Sequence, residues 1–144
     1  MKRFEFRLAR VRDFRRRQLD IEEAKLDVLR AERHQIEAES LRLENEVAGT
    51  RNSLMVTGSV EAQELVAADL YLRCLAIEGK RQTAKLADWQ QRTAKQQQAM
   101  VEARRRVRLL EKLEEKQLRL WKAEVDREQE NLSAELYLAR WGRQ

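Results

Sequence analysis

The stretch Leu19-Asp-Ile-Glu-Glu-Ala-Lys-Leu26-Asp-Val-Leu29-Arg-Ala-Glu-Arg-His-Gln-Ile36-Glu-Ala-Glu-Ser-Leu-Arg-Leu43 decides how this chain folds. A heptad frame with a positions at 19, 26, 33, 40, 47 and 54 and d positions at 22, 29, 36, 43 and 50 carries Leu19, Leu26, Leu29, Ile36, Leu43, Val47 and Leu54. Seven of its eleven positions are thus apolar. Apolar residues spaced alternately by three and four predict a helix that buries one narrow stripe against another helix.

Upstream, Phe4, Leu8 and Val11 keep the spacing, but the step from Val11 through Arg15 to Leu19 is four and four. Such a stutter unwinds a supercoil locally without ending the helix. The last third repeats the design: Leu86, Trp89, Met100, Ala103, Val107 and Leu110 share a frame with polar members Thr93 and Gln96. A second stutter runs through Glu114 to Leu118, followed by Trp121, Val125 and, past Glu128, Leu132. Setting the two stutters face to face in an antiparallel hairpin places Phe4 against Val125, Leu8 against Trp121, Leu19 against Leu110, Leu29 against Met100 and Leu43 against Leu86. Arg33 then lies opposite Gln96 as a polar layer that fixes register.

Between these frames, Gly49-Thr-Arg-Asn-Ser-Leu-Met-Val-Thr-Gly58-Ser59 concentrates the residues that break helices. Gly79 follows Ile77-Glu78 as a residue just past a helix end would. A short helix over 59–78 is therefore expected, with Ser59 as its N-cap and Glu61 in its first turn. The expected fold class is all-α: a long antiparallel two-stranded coiled-coil hairpin with a short middle helix near the tip. One domain, 1–144, would comprise a first arm over about 3–52, a tip segment over about 53–79 and a second arm over about 80–140. Residues 126–144 would outrun the first arm and stay unpaired.

Composition agrees with long helix. The 144 residues include no Pro, four Gly, one Cys and one His, and 38% are charged. With a mean hydropathy of -0.78 there is little apolar surface for a layered core. High charge also suits disorder, but the 42% hydrophobic fraction is periodically placed. No run of about 18 apolar residues offers a transmembrane helix, and the basic start is not a secretory signal, so a cytoplasmic protein is expected. Cys74 and His34 alone make neither a disulfide nor a structural zinc site. No Gly-rich phosphate cradle is present, and His34, in Ala-Glu-Arg-His-Gln-Ile-Glu, reads as a helix face. No catalytic, metal or cofactor residues emerge, and a non-enzymatic protein is expected.

Charge is uneven. The first seventeen residues carry eight basic and two acidic side chains, whereas residues 18–52 carry nine acids and five bases. Arg104, Arg105, Arg106 and Arg108 form a second basic cluster, and Arg outnumbers Lys 22 to 8. These arginines suit an acidic protein surface, nucleic acid or anionic lipid; the bland reading is a solvated face with local i, i+4 pairs. Planar bidentate pairing by Arg favours a protein interface, and no Asn is placed to read bases, so no specific nucleic acid is expected. The Arg-rich start also looks like a mitochondrial presequence, but Glu5, Asp13 and the absence of Ser there favour a helix terminus.

Apolar residues without an intramolecular partner form two sets: Leu132, Leu136, Tyr137, Leu138 and Trp141 in the tail, and Leu65, Leu70, Tyr71, Leu72, Leu75 and Ile77 near the tip. A stripe on an unpaired helix fits a groove, while the tip residues also suit a cap on the hairpin core. Cys74 reads as a small buried apolar residue.

The start Met-Lys-Arg-Phe-Glu-Phe-Arg-Leu with Arg10-Val11, the run Ala103-Arg-Arg-Arg-Val-Arg-Leu-Leu-Glu-Lys-Leu-Glu-Glu-Lys116, Arg127-Glu-Gln-Glu130 and the late Trp141 to Arg143 together resemble the FliJ family of flagellar export proteins. The likeness in length and two-helix layout extends over essentially the whole chain, departing after Gln129, where Glu-Asn-Leu-Ser-Ala-Glu replaces a more acidic stretch. The resemblance implies a soluble component of the flagellar type III export apparatus, similar to the stalk of rotary ATPases, that binds the export ATPase hexamer and the cytoplasmic linker of the export gate. Export chaperones are further implied partners, as is membrane association only through partners, with the chain a monomer when free. It implies Phe4, Arg7, Arg15, Arg16, Leu132 and Leu136 at the ATPase end and Tyr71, Leu72 and Leu75 on the gate side. The rival readings are a generic coiled-coil scaffold or parallel homodimer, and nonspecific nucleic-acid binding.

Overall fold

The computed structural model describes residues 2–56 and 58–143. Met1, Thr57 and Gln144, which the expected domain and tip ranges include, lie outside the described residues. The described residues form two long α-helices, α1 (Ala9–Val56) and α2 (Ala62–Trp141), with no strand among them. They fall into two compact units: one of the residues up to Ile21 with those from Met100 onward, the other Glu22–Ala99. In each, α1 and α2 pack against one another.

Residues 2–6 precede any helix or turn, although the periodicity carries the first arm back to about residue 3. Lys2, Arg3 and Arg7 explain the later start, since cations at a helix N-terminus oppose the macrodipole. At the other end of α1 the chain turns through Gly58, whose φ of 56° lies in the left-handed region that glycine adopts without Cβ strain.

The expected short helix over 59–78 is not a separate element. Helix α2 begins at Ala62, not at a Ser59 cap, with the Leu65 amide donating to the Glu61 carbonyl at 3.1 Å and Glu64 in the first turn. It then passes through Gly79 without a break. Ala68, Leu72, Leu75, Gly79, Gln82, Leu86, Trp89, Thr93 and Gln96 are all buried or half-buried and continue one three-four frame. Gly79 occupies a seam position in that frame, so packing on both sides outweighs its intrinsic cost of about 1 kcal/mol in a helix.

Within Glu22–Ala99, the α1 frame is the one the sequence predicts. Its positions from 22 to 54 are all buried or half-buried except Arg33, with Leu26, Ile36 and Leu43 deepest. Full burial of such a side chain contributes about 1.5–3 kcal/mol. The partners differ from the expected ones. Trp89, not Met100, reaches Leu29, and Leu43 and Val47 line a groove with Leu75 and Gly79 instead of meeting Leu86. Gln96 meets Glu22 instead of Arg33, whose guanidinium lies 5.3 Å from the Trp89 ring centroid. Stutter matching is therefore not what sets register here. The short connection between Val56 and Ala62 does, because it brings the early turns of α2 straight back along the late turns of α1.

In the other unit, Met100, Ala103, Val107, Leu110, Glu114, Leu118, Trp121 and Val125 are buried or half-buried on α2. The facing α1 stripe is not Leu8 and Val11, which are 38% and 43% exposed. Ala9, Arg12, Arg15 and Leu19 take those places, and Phe6 supplies the buried aromatic. Phe4 packs on Trp121 at 5.9 Å between ring centroids, not on Val125.

Candidate interaction surfaces

The six residues expected at the ATPase end are all in the unit built from the chain's two ends. Phe4 is half-buried against Trp121, whose indole donates to the Lys2 carbonyl at 3.3 Å. Arg7 is exposed. Arg15 donates to Gln18 at 2.9 Å and stands 5.9 Å over Phe14. Arg16 reaches across to Glu111 at 3.1 Å. Leu132 and Leu136 are 60% and 64% exposed, and every described side chain from 126 to 143 is exposed.

Arg12, which the sequence reading did not single out, makes the tighter crossing. Its guanidinium donates to both Glu114 oxygens at 2.5 Å and lies 6.0 Å from the Phe6 ring. The Glu114 hydrogen bond is the largest cause of the raised Arg12 pKa, with Asp13 adding to it. Part of the basic start is thus engaged in holding α1 to α2. Nη1 serves both Glu114 oxygens while Nε and Nη2 hold Asp13, so one planar guanidinium joins two carboxylates in a way a lysine would not reproduce.

The cations of α2 behave differently. Arg105, Arg108, Lys112, Lys116 and Arg119 recur at intervals of three and four, so they share one helix face. All five are exposed, and none makes an ion pair among the described residues. The sequence signal was the spacing beyond the obvious Arg104 to Arg108 cluster.

The tip set divides. Leu75 is buried beside Leu43 and Val47, and Leu72 is half-buried. Tyr71 donates its hydroxyl to Glu46 at 2.7 Å, and that bond raises the phenol pKa, since ionisation would remove the donated proton beside a carboxylate. All three expected gate-side residues therefore face α1, Leu72 and Leu75 through the seam and Tyr71 through its hydroxyl. Leu65, Val66, Leu70 and Ile77 are the exposed apolar residues nearby, each at least half exposed. Cys74 is exposed, contrary to the buried position expected for it, because it lies one residue off the seam at Leu75.

A further ion pair and an amide hydrogen bond bridge the helices within Glu22–Ala99. Arg92 joins Glu32 at 2.5 Å and Asp88 at 2.9 Å, holding the Glu32 carboxyl below its ordinary range. The Gln96 amide donates to the Glu22 carbonyl at 3.0 Å and to its carboxylate, which lowers the Glu22 pKa, with Lys25 contributing. Thr93 is buried in the same seam with its hydroxyl unpartnered.

Among the described residues no group of three or more His, Cys, Asp or Glu is placed to hold a metal ion, and no helix is long and apolar enough to cross a membrane. No family model, curated protein or solved structure matches this chain.

Proposed function

We propose that this chain is a non-enzymatic, stalk-like coiled-coil component of the flagellar type III export apparatus, binding the export ATPase and promoting assembly or turnover of its hexamer. The observation that carries this reading furthest is the row Arg105, Arg108, Lys112, Lys116 and Arg119, exposed and without ion pairs among the described residues. It falls mostly within the run Ala103 to Lys116 on which the family resemblance rests. An open row of cations on a helix already braced by Arg12 to Glu114 suits an acidic protein surface without reorganisation of the helix pair. Exposed Leu132 and Leu136 add apolar contacts in the same unit.

In this reading Arg7 and Arg15 supplement the α2 row, whereas Phe4 and Arg16 help hold the helices together. The gate's cytoplasmic linker meets the exposed α2 face that Leu70 and Ile77 share, with Leu65 nearby and Tyr71, Leu72 and Leu75 as support. Export chaperones would be transient partners. The chain acts in the cytoplasm and reaches the inner face of the membrane only through these proteins. Mixing the chain with its cognate export ATPase tests the reading: hydrolysis and hexamer formation should both rise. No change in either at micromolar excess would overturn it.

A further inference from the structure

We propose that α2 beyond Val125 pairs antiparallel with the same segment of a second copy of this chain. The seam of buried and half-buried α2 residues that runs to Val125 does not end there. Leu132, Leu136 and Ala139 carry it on, with Glu128 before and Arg143 after, and all five are exposed. A stripe of this kind on an already formed helix needs no new ordering of backbone to associate, which removes the main cost of pairing isolated helices.

The charge pattern selects the occupant and its direction. Asp126, Glu128 and Glu130 precede the stripe with Arg127 as the one base among them, Glu135 lies within it, and Arg140 and Arg143 follow it, so each segment runs from net acidic to basic. Two such segments laid antiparallel about the Glu135–Leu136 step bring Glu128 of each copy against Arg143 of the other and Leu132 against Ala139, with the two Leu136 side chains adjacent at the centre. In a parallel pair like charges would stand opposite one another. The surface is therefore self-complementary in the manner of a two-fold isologous contact. Tyr137 and Trp141, in ring contact at 6.1 Å, lie beside the stripe and widen it. The monomer expected from the sequence then holds only for dilute protein. This inference does not rest on the export reading, and any partner that uses Leu132 or Leu136 would compete with the second copy.

Sedimentation equilibrium of the full chain tests it. The weight-average mass should rise from 17.1 kDa towards twice that value with concentration, with a dissociation constant on the order of 10–100 µM. Leu136→Asp should hold the chain at monomer mass with unchanged helical circular dichroism. Glu128→Arg should weaken association about three- to tenfold, because one substitution alters two symmetry-related pairs, and adding Arg143→Glu should restore it. Cysteine trapping fixes the direction and stands even where a charge variant folds poorly. In a Cys74→Ser background with oxidised glutathione, Leu136→Cys should give a covalent dimer and Leu132→Cys should not. A monomer throughout with no Leu136→Cys dimer overturns the proposal, as does equal trapping at both positions, which would mean parallel pairing.

Discussion

The indole Nε1 of Trp89 donates a 2.6 Å hydrogen bond to the backbone carbonyl of Leu29, fastening α2 to α1 at one register within Glu22–Ala99. The Arg33 guanidinium, 5.3 Å from the same ring, covers its outer side. Trp89→Phe keeps most of the buried ring but removes the donor. It should lower stability by about 0.5–1.5 kcal/mol, towards the lower figure, because a helical carbonyl retains its own intrahelical partner. Trp89→Ala, which also opens a cavity, should cost about 3–5 kcal/mol. Urea unfolding at unchanged m-value measures both; no loss in Trp89→Phe would remove this bond from the account of register.

Thr93 gives a substitution of the opposite sign. Its hydroxyl is buried in the seam without a partner, and Val matches its shape and helix propensity. Thr93→Val should therefore raise stability by about 1 kcal/mol, the desolvation cost now carried by the orphaned oxygen. Thermal or urea melts suffice, and a destabilised Thr93→Val would indicate that the hydroxyl finds a partner in solution.

Two glycines should respond in opposite directions to alanine. Gly79 is helical and a Cβ there meets nothing within 4 Å, so Gly79→Ala should stabilise by about 0.5–1 kcal/mol. At Gly58 the space is equally open, but φ is positive, and Gly58→Ala should cost about 1–2 kcal/mol. Equal responses at the two sites would contradict the assignment of the turn to Gly58 and of continuous helix to Gly79.

These two positions also show how far the sequence could be read. Helical class, the α2 seam frame and the α1 frame from Leu19 onward were legible, because a three-four apolar spacing has only one economical interpretation; upstream of Arg15 the frame was not, since Leu8 and Val11 are exposed and Ala9 and Arg12 take their places. Leu26, Ile36 and Leu43 on α1 and Trp89 and Val107 on α2 are buried where their frames put them. Register was not legible, since a heptad pattern matches its partner nearly as well after a shift of one repeat. The deciding fact was which glycine turns the chain, and Gly58 and Gly79 look alike to local propensity. Only the continuity of the frame through Leu75, Gly79 and Gln82 distinguishes them. At the candidate surface, the sequence showed that arginines cluster but not which are already engaged. Arg12 and Arg16 meet Glu114 and Glu111 from distant parts of the chain, which no local pattern encodes.

The hydrogen-bonded carboxylates, Glu22 and Glu32 across the helices and Glu39 within α1, give a pH dependence. Hydrogen bonds from Gln96, Arg92 and Arg42 lower the folded-state pKa values of Glu22, Glu32 and Glu39 below the ordinary 4.5. The unfolded chain binds these protons first as pH falls, so their contribution is present above pH 4.5 and is lost progressively below it. Tyr71 acts at the other limit: its raised pKa means a contribution lost as pH climbs above 10. Melting temperature should fall below the first limit and above the second. In Glu22→Gln and Glu32→Gln the acid limb should be shallower, and an unaltered limb in the double variant would contradict the assignment.

The most direct test of the functional account compares two charge reversals in the hydrolysis assay with the cognate export ATPase. Arg105→Glu with Arg108→Glu alters the exposed α2 row, whereas Arg15→Glu with Arg16→Glu alters side chains with neighbours on the molecule itself. The account predicts that the first pair abolishes most of the stimulation while the chain stays folded by circular dichroism. The second pair should lose less activity than the first and should also lower the melting temperature, since it breaks the Arg16 to Glu111 pair. Full stimulation by the Arg105 and Arg108 variant, or none by the wild-type chain, would contradict the claim that this basic row meets the ATPase.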